Sequence, residues 1–340
     1  MSAVKSLKAN PQRTMCVAVV GTGNIGVRHL ETLRRIKWAH RIAIPTRPER
    51  LRQLAAAGHL AARDLDHAVQ MGATLCIVAT DTSRHVEDGL AAIHRGLNVL
   101  IEKPLATNAQ GARHLMAQAA AAHRNIYVGC VLRFSESLGA FRNLLDRVGA
   151  LHTVRVECQS YLPDWRPNRP YQETYSARAE DGGVLRDLIH EIDYAGWLFG
   201  WPGTLQARVK NLGRLNIAAP ELAELTWETS SGCVVSIALD YLSKPSRRRM
   251  RACGERGTIE WDGIRDVVTV EVDGTPLREV KSTQTRDEMF LAQARAFINA
   301  SGSSPDPRLA TGEDGVKALA VCDAAWRASE SRREEPVEYP

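Results

Sequence analysis

Through the first 130 residues the apolar positions gather into short continuous runs, and the stretches between them carry apolar residues at helical spacing. MCVAVVG is a β-branched run followed by a helical stretch that reaches about Leu33. RIAIP, TLCIVAT, NVLIEKP and IYVGCVLRF are the later runs, separated by segments such as HVEDGLAAIHRG and 109–123 that read as helices. Continuous apolar runs suit strands buried on both faces, and helical crossovers of ten or more residues join parallel neighbours. The pattern predicts an α/β fold that begins with a doubly wound parallel sheet of the Rossmann type over residues 1–133.

From about Phe134 the pattern changes. HTVRVECQSY alternates apolar and polar residues, and a loop rich in Pro, Arg and Tyr follows over 162–179. One helix is predicted over 184–199. LQARVKN, AELTWET, CVVSIALDY, RMRACGE, GTIEWDG and DVVTVEV then alternate between Gly and Asp turns. Alternation of this kind marks a sheet with one covered face and one free face. Residues 134–340 are thus expected to form an α+β domain with an open-faced, mainly antiparallel sheet. Two helices close the chain, over 289–299 and about 312–329, divided by SGSSPDP; the second is a candidate to pack back on the first domain.

Composition removes several classes of function. The 340 residues are 44% hydrophobic and 24% charged, as expected of a globular chain with real cores. A net charge of +5, with basic residues scattered apart from Arg247, Arg248 and Arg249, is too diffuse for a nucleic-acid footprint. Seven cysteines, odd in number and never in a C-x-x-C pair, argue against a disulfide framework and a metal site, and favour a reducing cytoplasm. No run is long enough to span a bilayer, and MSAVKSLKANPQRT lacks the apolar core of a signal peptide.

Chemistry concentrates at the ends of the predicted strands. Gly21, Thr22, Gly23, Asn24, Ile25 and Gly26 have the spacing G-x-G-x-x-G, directly after a strand and opening a helix. The first glycine permits the turn, the second admits a pyrophosphate to the backbone, and the third lets helix and strand approach. An acidic residue at the end of the second strand would bond the adenosine ribose and exclude a phosphate. IAIPTRPER offers none there, and Thr46 and Arg47 occupy its place, so NADP(H) is favoured over NAD(H). ATDTSRH sets Ala79, Thr80, Thr82 and His85 at a carboxyl edge, His85 having helix capping as a second reading. Glu102 and Lys103 follow NVLI at the same edge, before a proline that fixes the turn. There an ammonium could polarise a substrate oxygen beside the nicotinamide, or exchange a proton.

GTGNIG, ATDTSRH, EKPLA, VGCVLRF and DGGVLRDLIHEIDY, in this order and spacing, resemble the Gfo/Idh/MocA oxidoreductases over nearly the whole chain. The resemblance implies pyridine-nucleotide redox chemistry on a sugar, cyclitol or nucleotide sugar, and association through the open sheet as a homodimer or homotetramer. It also implies that Lys103 and a histidine on the first long helix of the second domain flank the substrate. LIHEIDY is similar to a subgroup associated with surface-polysaccharide sugars.

On the predicted helix, Asp187, His190 and Tyr194 share a face, so Asp187 is expected to orient His190, which exchanges the hydroxyl proton. Most relatives space this pair as D-x-x-x-H, which keeps Glu191 open as the alternative. Tyr161, Trp165, Arg166, Arg169, Tyr171 and Arg178 populate the preceding loop. Aromatics stack on sugar faces and arginines bind carboxylate or phosphate, so an anionic carbohydrate substrate and a subunit-interface arm are both open readings. Arg133 is grouped with the substrate residues, with contact to the cofactor or a hold on the domain junction as its other readings. Two further functions stay open: a lyase or glycosidase with tightly held nucleotide and no net redox, and a non-catalytic nucleotide sensor.

Overall fold

A computed structural model describes residues 15–275, 277–302 and 304–339. The N-terminal leader lies outside them. The chain begins with β1 (Met15–Val20), α1 (Asn24–Arg34), β2 (Ala39–Ile44), α2 (Pro48–Ala56), α3 (Leu65–Gln70), β3 (Leu75–Val78), α4 (His85–Ile93), β4 (Asn98–Ile101), α5 (Ala109–Ala121) and β5 (Ile126–Val128). The strands pair in parallel in the order β2-β1-β3-β4-β5. Alternate residues of β1 serve different cores: Val17 and Val19 pack with Leu30, Leu33 and Ile77 on one face, and Ala18 and Val20 with Cys76, Val78 and Ile101 on the other. Burial on both faces explains why the strands read as unbroken apolar runs.

The second half comprises α6 (Glu136–Leu144), β6 (Leu151–Gln159), α7 (Val184–Asp187), α8 (Ile189–Phe199), β7 (Thr204–Lys210), β8 (Leu222–Glu228), β9 (Val234–Asp240), β10 (Arg247–Gly254), β11 (Gly257–Asp262), β12 (Val267–Val272), β13 (Arg278–Lys281), α9 (Arg286–Asn299), α10 (Gly312–Ser331) and β14 (Glu335–Pro336). Nine strands form one sheet in the order β13-β12-β11-β10-β6-β9-β8-β7-β14. Only β6 and β9 pair in parallel; the other neighbours whose register is defined are antiparallel. In β7, Leu205, Ala207 and Val209 are buried while Gln206, Arg208 and Lys210 are exposed, the alternation of a sheet covered on one side.

Two features depart from the sequence reading. The helix expected over 184–199 is broken at Leu188 (φ −97°, ψ 27°), because the Glu191 N–H turns to Leu188 O and leaves the Asp187 carbonyl outside the helical ladder. Residues 286–299, assigned from sequence to the second domain, form α9 and pack on α1, placing Ala294 and Phe297 in the core beneath β1. α10 lies against both α5 and β7, and ahead of it the Val128 N–H donates to Ala310 O at 2.9 Å, extending the edge of the first sheet. Among the described residues no helix is long and apolar enough to cross a membrane, and no group of His, Cys, Asp and Glu is arranged to hold a metal ion.

Candidate active site

The turn between β1 and α1 is built for close approach. Gly21 has φ +87°, and a Cβ on Gly26 would stand 1.9 Å from Gly21 O, so both positions are closed to larger residues. A Cβ on Gly23 would meet nothing within 4 Å; it faces the open cleft, where the first N–H groups of α1 would hold a pyrophosphate. The loop therefore fits a dinucleotide, with Thr22, Gly23 and Asn24 at the cleft wall.

Two adjoining clefts extend from this loop. One, of ≈ 670 Å³, runs past Thr46, Arg47, Glu49, Arg50 and Gln53. The other, of ≈ 720 Å³, joins Ala79, Thr80, Thr82, Glu102 and Lys103 of the first domain to Trp165, Arg166, Tyr175, Arg178 and His190 of the second, with Arg286 and Phe290 contributed by α9. The Lys103–Pro104 bond is cis. Lys103 Nζ donates to the main-chain O of Asp187 at 2.9 Å, taking up the carbonyl that the helix break releases. Beside it, burial and then the charges of Lys103, Arg248 and Arg286 hold the His190 imidazole well below its ordinary pKa, and its Nδ1 has no hydrogen-bond partner among the described residues. A neutral imidazole and an ammonium thus face one cleft.

Models of two domains match the chain: the NAD-binding Rossmann fold of an oxidoreductase family over residues 15–130, and that family's C-terminal alpha/beta domain over 149–339. The chain belongs to the Gfo/Idh/MocA oxidoreductase family. Curated relatives include an inositol 2-dehydrogenase/D-chiro-inositol 3-dehydrogenase of Shouchella clausii, 27% identical with 96% of this chain and 95% of the relative covered. A myo-inositol 2-dehydrogenase of Thermotoga maritima is 24% identical, with 95% and 99% covered. Among solved structures, the WlbA dehydrogenase of Bordetella pertussis, in complex with NADH and UDP-GlcNAcA, shares the fold with a TM-score of 0.81 at 20% identity, covering 96% of this chain and all of the other.

This member of the Gfo/Idh/MocA family keeps some expected groups at the cleft and withdraws others. Asp187 is buried, and its carboxylate accepts from the Tyr241 hydroxyl at 2.6 Å; no hydrogen bond joins it to His190, because the break at Leu188 puts the two residues on different helices. Glu191 is wholly buried and paired with Arg248 Nε at 2.8 Å, away from the cleft wall. Arg133 is consumed by Asp193 (2.7 and 2.9 Å) and Asp314 (3.1 Å), so it locks the junction and lines neither cleft. Tyr171 donates to Leu215 O and Tyr161 carries Lys244 over its ring, and neither lines the cleft. His85 reaches the cleft floor, but its Nδ1 lies 2.7 Å from Pro104 O and its Nε2 3.0 Å from Thr80 O, which makes it a tie between the two strand ends.

Several cleft residues carry no signal in the sequence reading, and the charged and aromatic ones matter most. Arg50 closes IAIPTRPER, three residues beyond Arg47. Tyr175 lies in the same loop as the residues singled out. Arg286 and Phe290 come from α9, whose place beside α1 no local pattern reveals. His29 carries no sequence signal either: its Nε2 lies 2.7 Å from Glu102 Oε1, and this contact, with the Lys103 charge, holds the Glu102 carboxyl below its ordinary pKa despite burial.

Proposed function

We propose that this family member moves a hydride between nicotinamide and a secondary alcohol or ketone carbon of a sugar, nucleotide sugar or cyclitol, with NADP(H) preferred. The observation that carries this reading is the meeting of Lys103 and His190, from separate domains, in one cleft that also reaches Gly23 and Asn24. When bound, the nicotinamide supplies the hydride acceptor or donor, and the chain supplies position and electrostatics. Lys103 polarises the substrate oxygen. His190, held neutral, takes the hydroxyl proton on oxidation and returns it on reduction. Asp187 acts on Lys103 through its main-chain carbonyl, in place of the part first assigned to it.

The preference for NADP(H) rests on Thr46, Arg47 and Arg50, which line the first cleft where a 2′-phosphate would lie; Glu49, beside them, is the opposing charge. The similar proteins, two inositol dehydrogenases and a dehydrogenase in complex with UDP-GlcNAcA, support a cyclitol or an anionic carbohydrate. The exposed face of the nine-stranded sheet is proposed as the surface through which copies pair, and the seven free cysteines suit a reducing compartment.

The test is fluorescence titration with NADPH and NADH on the wild type, Arg47→Ala and Arg50→Ala, followed by turnover of myo-inositol and aldoses. Tighter NADPH binding that either substitution reduces by ~10-fold or more, with polyol-dependent reduction of NADP+, is the expected result. Equal or tighter NADH binding removes the NADP(H) assignment, and binding of neither removes the redox assignment.

A further inference from the structure

The large cleft gathers more positive charge than the chain neutralises. Nearby cations are matched: Arg28 with Asp287, Arg248 with Glu191 at 2.8 Å, and Arg178 with Asp181 at 2.7 Å and Asp81 at 3.5 Å. Arg166 and Arg286 line the same cleft, and their guanidinium groups make no ion pair or hydrogen bond among the described residues. Each is steadied by an aromatic ring instead, Arg166 over Tyr175 at 5.7 Å and Arg286 over Phe290 at 5.9 Å. A guanidinium stacked on a ring keeps its five edge donors for a ligand. Burial and then the like charges of Arg28 and Arg248 lower the hold of Arg286 on its proton, more than the charges of Glu102 and Asp287 raise it. A guanidinium with no carboxylate within ion-pair distance is arranged for an anion that arrives from outside.

We propose that Arg286 of α9 and Arg166 of the 162–179 loop together hold an oxyanion carried by the substrate, on the side of the cleft shared with Lys103 and His190. This deepens the reading given above, and rests on it: the substrate is a polyol that bears a carboxylate or a phosphate. The two arginines are delivered by separate segments, one packed on the first domain and one belonging to the second, so the anion also bridges the two halves of the site. The glycine loop offers its own N–H groups to the dinucleotide phosphates; because Gly23 and Asn24 line the same cleft as Arg286, cofactor affinity is measured alongside.

The test compares D-glucose, D-glucuronate, D-glucose 6-phosphate and UDP-glucuronate, by calorimetric binding to the NADPH-saturated protein and by turnover, on the wild type, Arg166→Gln, Arg286→Gln and Arg286→Lys. The expected result is that at least one anion is preferred to glucose. Either Gln substitution should reduce that preference by ~10–100-fold, and Lys should restore part of it. The carboxylate and phosphate arms show which oxyanion is read. Glucose handled as well as every anion, or a preference that survives both Gln substitutions, overturns the inference while leaving the redox reading intact. Loss of NADPH affinity without a change in preference assigns the arginines to the cofactor and also overturns it. Arginine-dependent anion binding without turnover of any polyol sustains the anion site and counts against the redox reading.

Discussion

Lys103 reaches across the boundary between the two domains to the main-chain carbonyl of Asp187, 2.9 Å away. The bond fixes the ammonium without neutralising it, since a carbonyl, unlike a carboxylate, leaves the full charge available to a substrate oxygen. Lys103→Met is therefore expected to lower kcat by about 100- to 1000-fold while leaving the NADPH Kd within about threefold, measured by steady-state kinetics and titration. A variant that loses cofactor affinity and retains kcat would place the lysine in binding alone.

His190 makes stability depend on acid. In the unfolded chain an imidazole takes its proton near pH 6.5. In the folded chain, burial and the positive charges of Lys103, Arg248 and Arg286 hold it neutral to well below that. The unfolded state binds the extra proton, so the contribution is fully present above about pH 6.5 and is lost as the pH falls. His85, lowered chiefly by burial, acts in the same direction. Urea unfolding between about pH 7 and pH 5 is expected to show a shallower acid loss in His190→Gln than in the wild type. Identical slopes would mean that the folded protein protonates His190 freely.

Two glycines of one loop separate folding from binding. A methyl on Gly26 would collide with Gly21 O, whereas one on Gly23 would stand in open cleft. Gly26→Ala should lower Tm. Gly23→Ala should leave Tm nearly unchanged and weaken NADPH by ~10-fold or more, because the methyl occupies the approach of the pyrophosphate. Thermal melts and fluorescence titration distinguish the two, and a Gly23→Ala protein of normal affinity would move the pyrophosphate elsewhere.

Arg133 and Asp193 are 2% and 3% exposed, so removing one strands the charge of the other. Arg133→Met should cost about 3–5 kcal/mol in denaturant unfolding, and Arg133→Met with Asp193→Leu should recover much of it. A loss confined to substrate affinity, with stability unchanged, would return Arg133 to the binding site.

What the sequence reveals follows from how local each signal is. The parallel sheet is legible because burial on both faces writes unbroken apolar runs, and GTGNIG because a pyrophosphate dictates glycines at fixed spacing. Lys103 and His190 are legible because each lies within a motif. The partnership of Asp187 with Tyr241 is not, since it spans 54 residues and depends on a one-residue break at Leu188 that no propensity marks. Arg133 misleads for a related reason. An arginine at a strand end looks the same whether it meets a substrate or two distant aspartates. Arg286 is hidden further, because only the docking of α9 on α1 brings it to the cleft.

That docking bears on the order in which the protein can be completed. The first sheet and glycine loop leave the ribosome early, yet the core beneath β1 is filled by Phe297, and the free edge of β5 is closed by Ala310. The cofactor-binding half must therefore wait for α9 and the stretch through Ala310, which the ribosome makes long after β5. A chain halted before α9 would expose an unfinished apolar face and an unpaired strand edge, at the stage when a nascent chain has most need of a chaperone.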